Sequence, residues 1–192
     1  NRKQIVDKVF SNTKTVATDF TSPLVPEYSK DLKGAANLEY NPEEAKKLWA
    51  QANKISPWSG DFKIAYNADG SDIRDRVTDR TIATAFRSGW MLDYPSAEDY
   101  LTPLYSSASA DGHGSNDGDY KSPKFDQELA DALSQTDESK RTAALQEAQE
   151  TLLQDLPSIP LWCDNVAAVS AQNVKNVQFD YTNMPTYNTI TK

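Results

Sequence analysis

The sequence predicts a mixed fold of helices and strands, α/β or α+β, because the two hydrophobic periodicities alternate along the chain. Apolar residues recur at helical spacing after residue 41 and again between residues 145 and 156. Alternation typical of strands occurs at residues 62–66 and 81–88. With 192 residues, 38% of them hydrophobic and 25% charged, the chain is long enough to bury a core of its own.

The chain opens with a helical pattern, in which Ile5, Val6, Val9 and Phe10 share one face. This pattern is under way at the first residue, so we expect the 192 residues to be part of a longer protein. The following residues, 11–33, are polar and contain two prolines, which predicts a long surface connection.

A second helix is predicted from Asn41 onward. Asn41 can cap the helix, Pro42 suits its first position, and two acidic residues follow near the positive end of its dipole. We predict that one apolar stripe is buried and that Trp49 lies in the core. The stripe comprises Ala45, Leu48, Trp49 and Ala52. Residues 62–66 then predict a strand, and residues 67–70 a turn.

Residues 81–104 contain the most informative pattern. An alternating strand over residues 81–88 ends at Gly89, where a second backbone can come close because glycine has no Cβ. Ser96 and Asp99 have the spacing of a capping box, which predicts the start of a helix. Seven residues thus carry a cation, Arg87, a flat aromatic, Trp90, and an anion, Asp93.

Such a set suits the binding of a zwitterion. It is a poor basis for catalysis, because no nucleophile, general base or set of metal ligands accompanies it. The alternative is structural: a surface ion pair and a tryptophan in the core. On spacing alone the structural interpretation is the commoner one.

The second half of the chain predicts a loop followed by two helices. Residues 106–123 are rich in serine, glycine and aspartate, so we expect a solvated loop with His113 exposed. The loop lacks the glycine and the closing glutamate of a calcium-binding EF-hand. Helices are predicted around Phe125 and between Leu145 and Leu156. Two short strands are expected at residues 159–162 and 166–169, joined as a hairpin by a turn at Asp164 and Asn165, and a further strand at residues 174–181.

Composition excludes several classes of function. The net charge of −8 and the absence of a dense basic cluster argue against a nucleic-acid partner. Cys163 is the single cysteine and His113 the single histidine, so we expect neither a disulfide within the chain nor a zinc site. Cys163 is interpreted as a small buried residue rather than a lipid anchor. We predict no catalytic residue, no metal and no cofactor.

Four segments in order resemble the oligopeptide- and dipeptide-binding class of extracytoplasmic solute-binding proteins of ABC importers, bacterial extracellular solute-binding protein family 5. They lie at residues 41–49, 86–95, 115–126 and 152–161 (NPEEAKKLW, FRSGWMLDYP, SNDGDYKSPKFD and LLQDLPSIPL). The resemblance implies a periplasmic-binding-protein-like lobe with a mixed sheet flanked by helices. Residues 1–192 would form one lobe, the C-terminal part of a two-lobed binder, with about residues 180–192 returning to the other lobe.

The resemblance also implies roles for individual residues. Asp93 would hold the α-ammonium of a peptide, Trp90 would flank a side-chain pocket, and Arg87 would reach the ligand carboxylate. The main chain of Gly89 and Met91 would pair with the peptide as an added strand. Ser115 and Asn116 would lie at the rim of the site.

The expected function is capture of oligopeptides for ABC transporter permease subunits, outside the cytoplasmic membrane. Contact with the membrane would come only through a lipoprotein tether elsewhere in the protein. The alternative is another small solute on the same fold, such as a nickel chelate, a sugar or a glutathione-like compound. Two features depart from the family pattern: the N-terminal lobe is absent, and the connection between Tyr66 and Arg74 is short.

Overall fold

A computed structural model describes residues 1–65, 72–82 and 84–192, without the side chains of residues 72 and 74. The chain divides into two compact units, residues 1–38 together with 90–192, and residues 39–89. Helices and strands mix along the chain, which confirms the predicted fold class. Whether residues 1–192 form one lobe of a larger binder stays a prediction. The described helices and strands are α1 Arg2–Lys8, β1 Lys14–Val16, α2 Pro42–Ile55, β2 Ile64–Ala65, α3 Asp72–Thr78, β3 Ala85–Phe86, α4 Glu98–Tyr105, α5 Pro123–Ser134, α6 Glu138–Asp155 and β4 Trp162–Asp164.

The core of the first unit is built on the packed pair α5 and α6, both of which the sequence predicts. The hydroxyl of Ser122 caps α5 by accepting from the Phe125 N–H (3.3 Å). The carboxylate of Asp137 caps α6 by accepting from the Lys140 N–H (3.0 Å). Leu156 ends α6 in the left-handed conformation (φ 48°). The buried cluster comprises Phe20, Val25, Leu32, Leu38, Leu92, Ala97, Leu101, Phe125, Leu129, Ala132, Leu145, Ala148, Leu152 and Leu153.

The prediction that residues 11–33 form a surface connection is wrong, because part of this segment is buried. Phe20, Val25 and Leu32 are buried in the same core as α5 and α6. Four polar residues of the segment, Asp19, Thr21, Ser22 and Glu27, are buried as well, and the Thr21 N–H donates to the Asp19 carboxylate. A polar segment can enter a core when its polar groups find hydrogen-bond partners there, and composition does not reveal such partners.

The strand predicted at residues 159–162 lies at Trp162–Asp164 instead, and its partner is not the predicted one. β4 pairs antiparallel with β1, with Thr15 opposite Cys163. Residues 166–169 form no strand, and Val169 is fully exposed, so the expected hairpin is wrong. Residues 174–181 contribute isolated bridges instead of a strand. The distant segment around Thr15 supplies the hydrogen bonds that the local turn was expected to supply.

In the second unit, α2 begins as predicted but its apolar stripe is not buried. The side chain of Asn41 accepts from the Glu44 N–H (3.0 Å), and Pro42 occupies the first turn. Trp49 is 57% exposed and Leu48 is 56% exposed, which corrects the assignment of Trp49 to the core. Its described aromatic contact is with Trp58, at 6.3 Å between ring centroids. Spacing predicts which residues share a face, but only tertiary structure decides whether that face is covered.

The same unit contains a short parallel sheet. Ile64 and Ala65 of β2 lie opposite Ala85 and Phe86 of β3, so each predicted strand is reduced to two paired residues. Helix α3, between them in the chain, was not predicted. The predicted turn at residues 67–70, the Tyr66 end of the first strand and Ala83 lie outside the described residues.

Candidate ligand-binding site around Trp90 and Asp93

The predicted helix after residue 95 is present as α4, but its capping box has a different arrangement. The hydroxyl of Ser96 accepts from the Glu98 N–H (3.3 Å), and its carbonyl accepts from the Asp99 N–H (3.2 Å). The carboxylate of Asp99 was expected to reach back to the Ser96 backbone. It turns instead toward the two predicted ligand residues, which lie just before the helix.

The buried Asp99 carboxylate connects Trp90 and Asp93. Its Oδ2 atom accepts a hydrogen bond from the Trp90 indole Nε1 (3.1 Å) and another from the Asp93 backbone N–H (2.9 Å). Only 4% of Asp99 is exposed. Hydrogen bonds to an ionised acceptor are shorter and stronger than neutral ones, so one carboxylate fixes both the indole plane and the course of the main chain.

The Asp93 carboxylate itself takes no part in this network. Asp93 is exposed, and its side chain has no hydrogen-bond or ion-pair partner among the residues that the structure describes. Leu92 is 4% exposed and belongs to the core, whereas Met91 is 63% exposed. The segment is thus anchored by Leu92 and Asp99 and presents Met91 and Asp93 outward.

Glu27 holds the same segment from the other side. Its carboxylate accepts hydrogen bonds from the Ser96 hydroxyl (3.1 Å) and from the Ala97 N–H (3.0 Å). Ala97 is the residue immediately before α4. The Gln146 side chain donates to the Glu27 carbonyl (3.1 Å) and so connects this corner to α6. Sequence reasoning missed Glu27, because a contact across about seventy residues leaves no local pattern.

Charged and aromatic groups border this corner. Glu98 forms an ion pair with Arg141 of α6 (3.1 Å). Burial, followed by the nearby Glu98 charge, raises the pKa of Tyr94 to about 12, so its hydroxyl stays protonated at physiological pH.

Arg87 and Gly89 belong to the second unit, whereas Trp90 and Asp93 belong to the first. Arg87 is exposed. A Cβ added at Gly89 would meet nothing within 4 Å, so the space beside this backbone is open. This observation agrees with the expectation that another backbone can approach here, and the role itself stays a prediction.

Ser115 and Asn116 lie in the predicted loop, and His113 is exposed as expected. Asn116 is almost fully buried: its amide nitrogen donates to the Ser106 carbonyl (3.0 Å) and the Tyr120 carbonyl (2.8 Å). Its amide oxygen accepts from the Tyr120 N–H (3.1 Å). Asn116 therefore shapes the loop that presents the half-buried Ser115. Contact of either residue with a ligand stays a prediction.

The described part of the chain contains no group of three or more histidine, cysteine, aspartate or glutamate residues placed to hold a metal ion. No helix within the same residues has the length and apolar character needed to cross a bilayer. Burial raises the pKa of the Cys163 thiol to about 11, and the charges of Asp19 and Asp164 add to the effect.

Comparison with known proteins identifies the class. Residues 1–79 match the family described as bacterial extracellular solute-binding proteins, family 5 Middle. The periplasmic oligopeptide-binding protein OppA of Escherichia coli K12 is 31% identical over 139 residues, 70% of this chain and 24% of that protein. The peptide transport periplasmic protein SapA of Haemophilus influenzae is 26% identical over 205 residues, 93% of this chain and 36% of that protein.

The fold agrees with these matches. The structure of HbpA2 from Haemophilus parasuis superimposes with a TM-score of 0.79 at 22% identity, covering 100% of this chain and 42% of that one. The fold is similar to that of periplasmic-binding-protein-like lobes. Residues 1–79 match the bacterial extracellular solute-binding proteins of family 5, and the two relatives above are periplasmic proteins, which supports the family and the extracytoplasmic location expected from the sequence.

The relatives are longer than this chain and differ in the ligands that their names give. The chain spans about a quarter to a third of the curated relatives that it matches. Their names extend beyond oligopeptides, since one is a glutathione-binding protein of Pectobacterium atrosepticum and another a heme-binding protein of Haemophilus influenzae.

Proposed function

We propose that this chain is part of the substrate-binding component of an ABC importer and that it captures oligopeptides through their free N-terminus. It acts by binding and carries out no chemistry of its own. The permease subunits of the importer are its partners, and the peptide is its ligand. The match of residues 1–79 to the family and the names of the relatives support this assignment.

The observation that carries the proposal is that Asp99 holds the main chain in place while the side chain of Asp93 stays exposed. Asp99 accepts the Asp93 N–H and the Trp90 indole, so the main chain is fixed before any ligand arrives. The Asp93 carboxylate is left exposed and without a partner among the described residues. Because its main chain is already fixed, Asp93 gives up only side-chain freedom when it binds an ammonium group, which favours affinity.

The neighbouring groups fit a peptide. The half-buried Trp90 offers an aromatic surface, and it shares the Asp99 acceptor with Asp93. Taken by itself, the backbone at Gly89 has open space for main-chain pairing in the manner of an added strand. Pairing through the backbone tolerates many side chains. The free N-terminus then supplies the charge that Asp93 selects.

The test is calorimetric titration of the full-length protein with a mixture of short peptides and with the same mixture after N-acetylation. We expect the free-amine peptides to bind and acetylation to weaken binding by about 2–5 kcal/mol, as when one partner of a charge pair is lost. Asp93→Asn should give a similar loss. Asp31→Asn is the matched control, because Asp31 is an equally exposed aspartate of the same unit.

Two results would contradict the proposal. Equal affinity for acetylated and free peptides would remove the role of Asp93 in recognition of the N-terminus. No peptide binding at all would redirect the search to a nickel chelate, a sugar or a glutathione-like solute. We also expect the 192 residues alone to fold but to bind peptide weakly, and micromolar affinity of this piece would contradict that expectation.

A further inference from the structure

Three buried oxygen atoms form a row in the core of the first unit, remote in sequence from the candidate site. The Thr21 hydroxyl oxygen lies 3.2 Å from Oδ2 of Asp19 and 3.1 Å from Oε1 of Gln149 on α6. Asp19 is 1% exposed, Thr21 4% and Gln149 0%, so water does not reach any of them freely.

The row lacks a proton if Asp19 is ionised. A threonine hydroxyl carries one hydrogen and can donate it to Asp19 or to Gln149, but not to both. The orientation of Gln149 is fixed because its amide nitrogen donates to the Leu145 carbonyl (3.2 Å), which leaves Oε1 facing Thr21. With an ionised Asp19, its Oδ2 and Oε1 of Gln149 would compete for that one hydrogen, and the Thr21 oxygen would face one of these two oxygens with no hydrogen between them.

We propose that in weakly acidic solution Asp19 is a neutral carboxylic acid, whose proton completes a hydrogen-bond chain from Asp19 through Thr21 to Gln149. Oδ2–H of Asp19 donates to the Thr21 hydroxyl, and the Thr21 hydroxyl donates to Oε1 of Gln149. The other carboxyl oxygen, Oδ1, accepts from the Thr21 N–H (2.8 Å). The chain attaches residues 19–21 to α6, so this attachment is strongest when the proton is present.

The surroundings of Asp19 favour the neutral form. The pKa of Asp19 is raised to about 6, and burial is the largest cause. Hydrogen bonds from Thr21 and from the Ser29 backbone lower the pKa, but by less than burial raises it. The titratable groups that face it are Tyr100 on α4 and Cys163 on β4, whose pKa values are themselves raised, to about 12 and about 11. Both are uncharged near neutral pH and supply no cation. Gln149 on α6 carries no charge.

The sign of the pH dependence follows from the raised pKa. Between the ordinary aspartate value of 3.8 and about 6, the folded protein keeps a proton that the unfolded chain has released. Stability from this group is therefore fully present below pH 4 and is lost as the pH rises through about 6. Carboxylates in ion pairs have the opposite effect, because they stabilise the folded protein more as the pH rises. The contribution of Asp19 is therefore measured as the difference in stability between wild type and an Asp19 variant.

The test compares urea unfolding of wild type and Asp19→Asn at pH 4.5 and pH 7.5, with Asp31→Asn as an exposed control. The amide of asparagine mimics the neutral acid, since its nitrogen can donate to the Thr21 hydroxyl. We expect Asp19→Asn to unfold at a higher urea concentration than wild type at pH 7.5, and near the wild-type midpoint at pH 4.5. An equal shift at both pH values would overturn the proposal.

A second measurement needs no variant. The carboxyl carbon signal of Asp19 in the wild-type protein, followed by NMR from pH 3 to pH 8, should titrate with a midpoint near 6. A midpoint at or below the ordinary aspartate value would show an ionised Asp19 and would overturn the proposal, even if Asp19→Asn failed to fold.

Discussion

The Oδ2 atom of Asp99 lies 2.9 Å from the backbone nitrogen of Asp93, so a buried aspartate holds in place an exposed one. The two carboxylates differ in role because they differ in surroundings. The first has two donors and almost no contact with water. The second is exposed and has no partner among the described residues, which leaves it available to a ligand cation.

Asp99→Ala should destabilise the protein and weaken peptide binding together. The substitution leaves the Trp90 indole N–H and the Asp93 N–H without their acceptor, and we expect a loss of about 2 kcal/mol in the free energy of unfolding. Asp99→Asn keeps an acceptor oxygen and should recover about half of that loss. Urea unfolding followed by tryptophan fluorescence, with peptide titration alongside, measures both effects. If Asp99→Ala changed stability but left the peptide affinity intact, Asp99 would have no positioning role.

Two glycines provide a matched pair of alanine substitutions. Gly89→Ala meets nothing within 4 Å, so stability should stay within about 0.5 kcal/mol of wild type. Gly34→Ala places a Cβ 3.0 Å from Leu153 Cβ at a position with φ +90°, and should cost about 1–3 kcal/mol. Thermal unfolding measures this difference.

Gly89→Ala also tests the proposed backbone approach of a peptide at this position. Because the free protein has open space here, any loss of peptide affinity in a stable Gly89→Ala protein reports on the ligand. We expect a loss of at least tenfold in calorimetric titration. Unchanged affinity would show that no ligand backbone packs against Gly89.

Asn116→Ala should lower the free energy of unfolding by about 2–3 kcal/mol. The amide of Asn116 bonds the Ser106 carbonyl and both backbone groups of Tyr120, and all three lose their partner. Ser115→Ala is the control and should have a small effect, because Ser115 is only half-buried. Equal effects of the two substitutions in urea unfolding would argue against Asn116 as the residue that holds the loop.

Cys163 should react slowly with iodoacetamide in the folded protein. Its pKa is raised from 9.0 to about 11 by burial and by the charges of Asp19 and Asp164, so the thiolate fraction below pH 9 is about a hundredfold lower than in the unfolded chain. Alkylation at pH 8 with and without urea, followed by mass spectrometry, measures the ratio. Reaction at the unfolded rate under native conditions would contradict the burial of this thiol.

Elements with a strong local signal were predicted well. Asn41 and Pro42 mark the start of α2, and the apolar spacing around Leu145 and Leu152 marks α6, because capping and helical periodicity act over a few residues. The fold class and the family resemblance are also readable in the sequence. Both were confirmed by the structure and the comparisons.

Part of the candidate site was visible in the same way. Trp90 and Asp93 stand out because they are close together in sequence, just before a helix. The sequence also contained Asp99, but the capping-box pattern assigned its carboxylate to the wrong partner. The spacing of Ser96 and Asp99 allows the Asp99 carboxylate to bond either the Ser96 backbone or groups before the helix. The position of the Trp90 indole decides between these two arrangements.

The sequence by itself determined the fold class, the main helices of the first unit and the segment that carries the candidate site. Only the tertiary structure decided that Phe20, Val25 and Leu32 of the segment 11–33 enter the core, that β4 pairs with β1, and that Glu27 supports α4. It also left Trp49 exposed on α2. The physical reason is that burial and hydrogen bonding join residues far apart in the chain, whereas periodicity and capping report only on near neighbours.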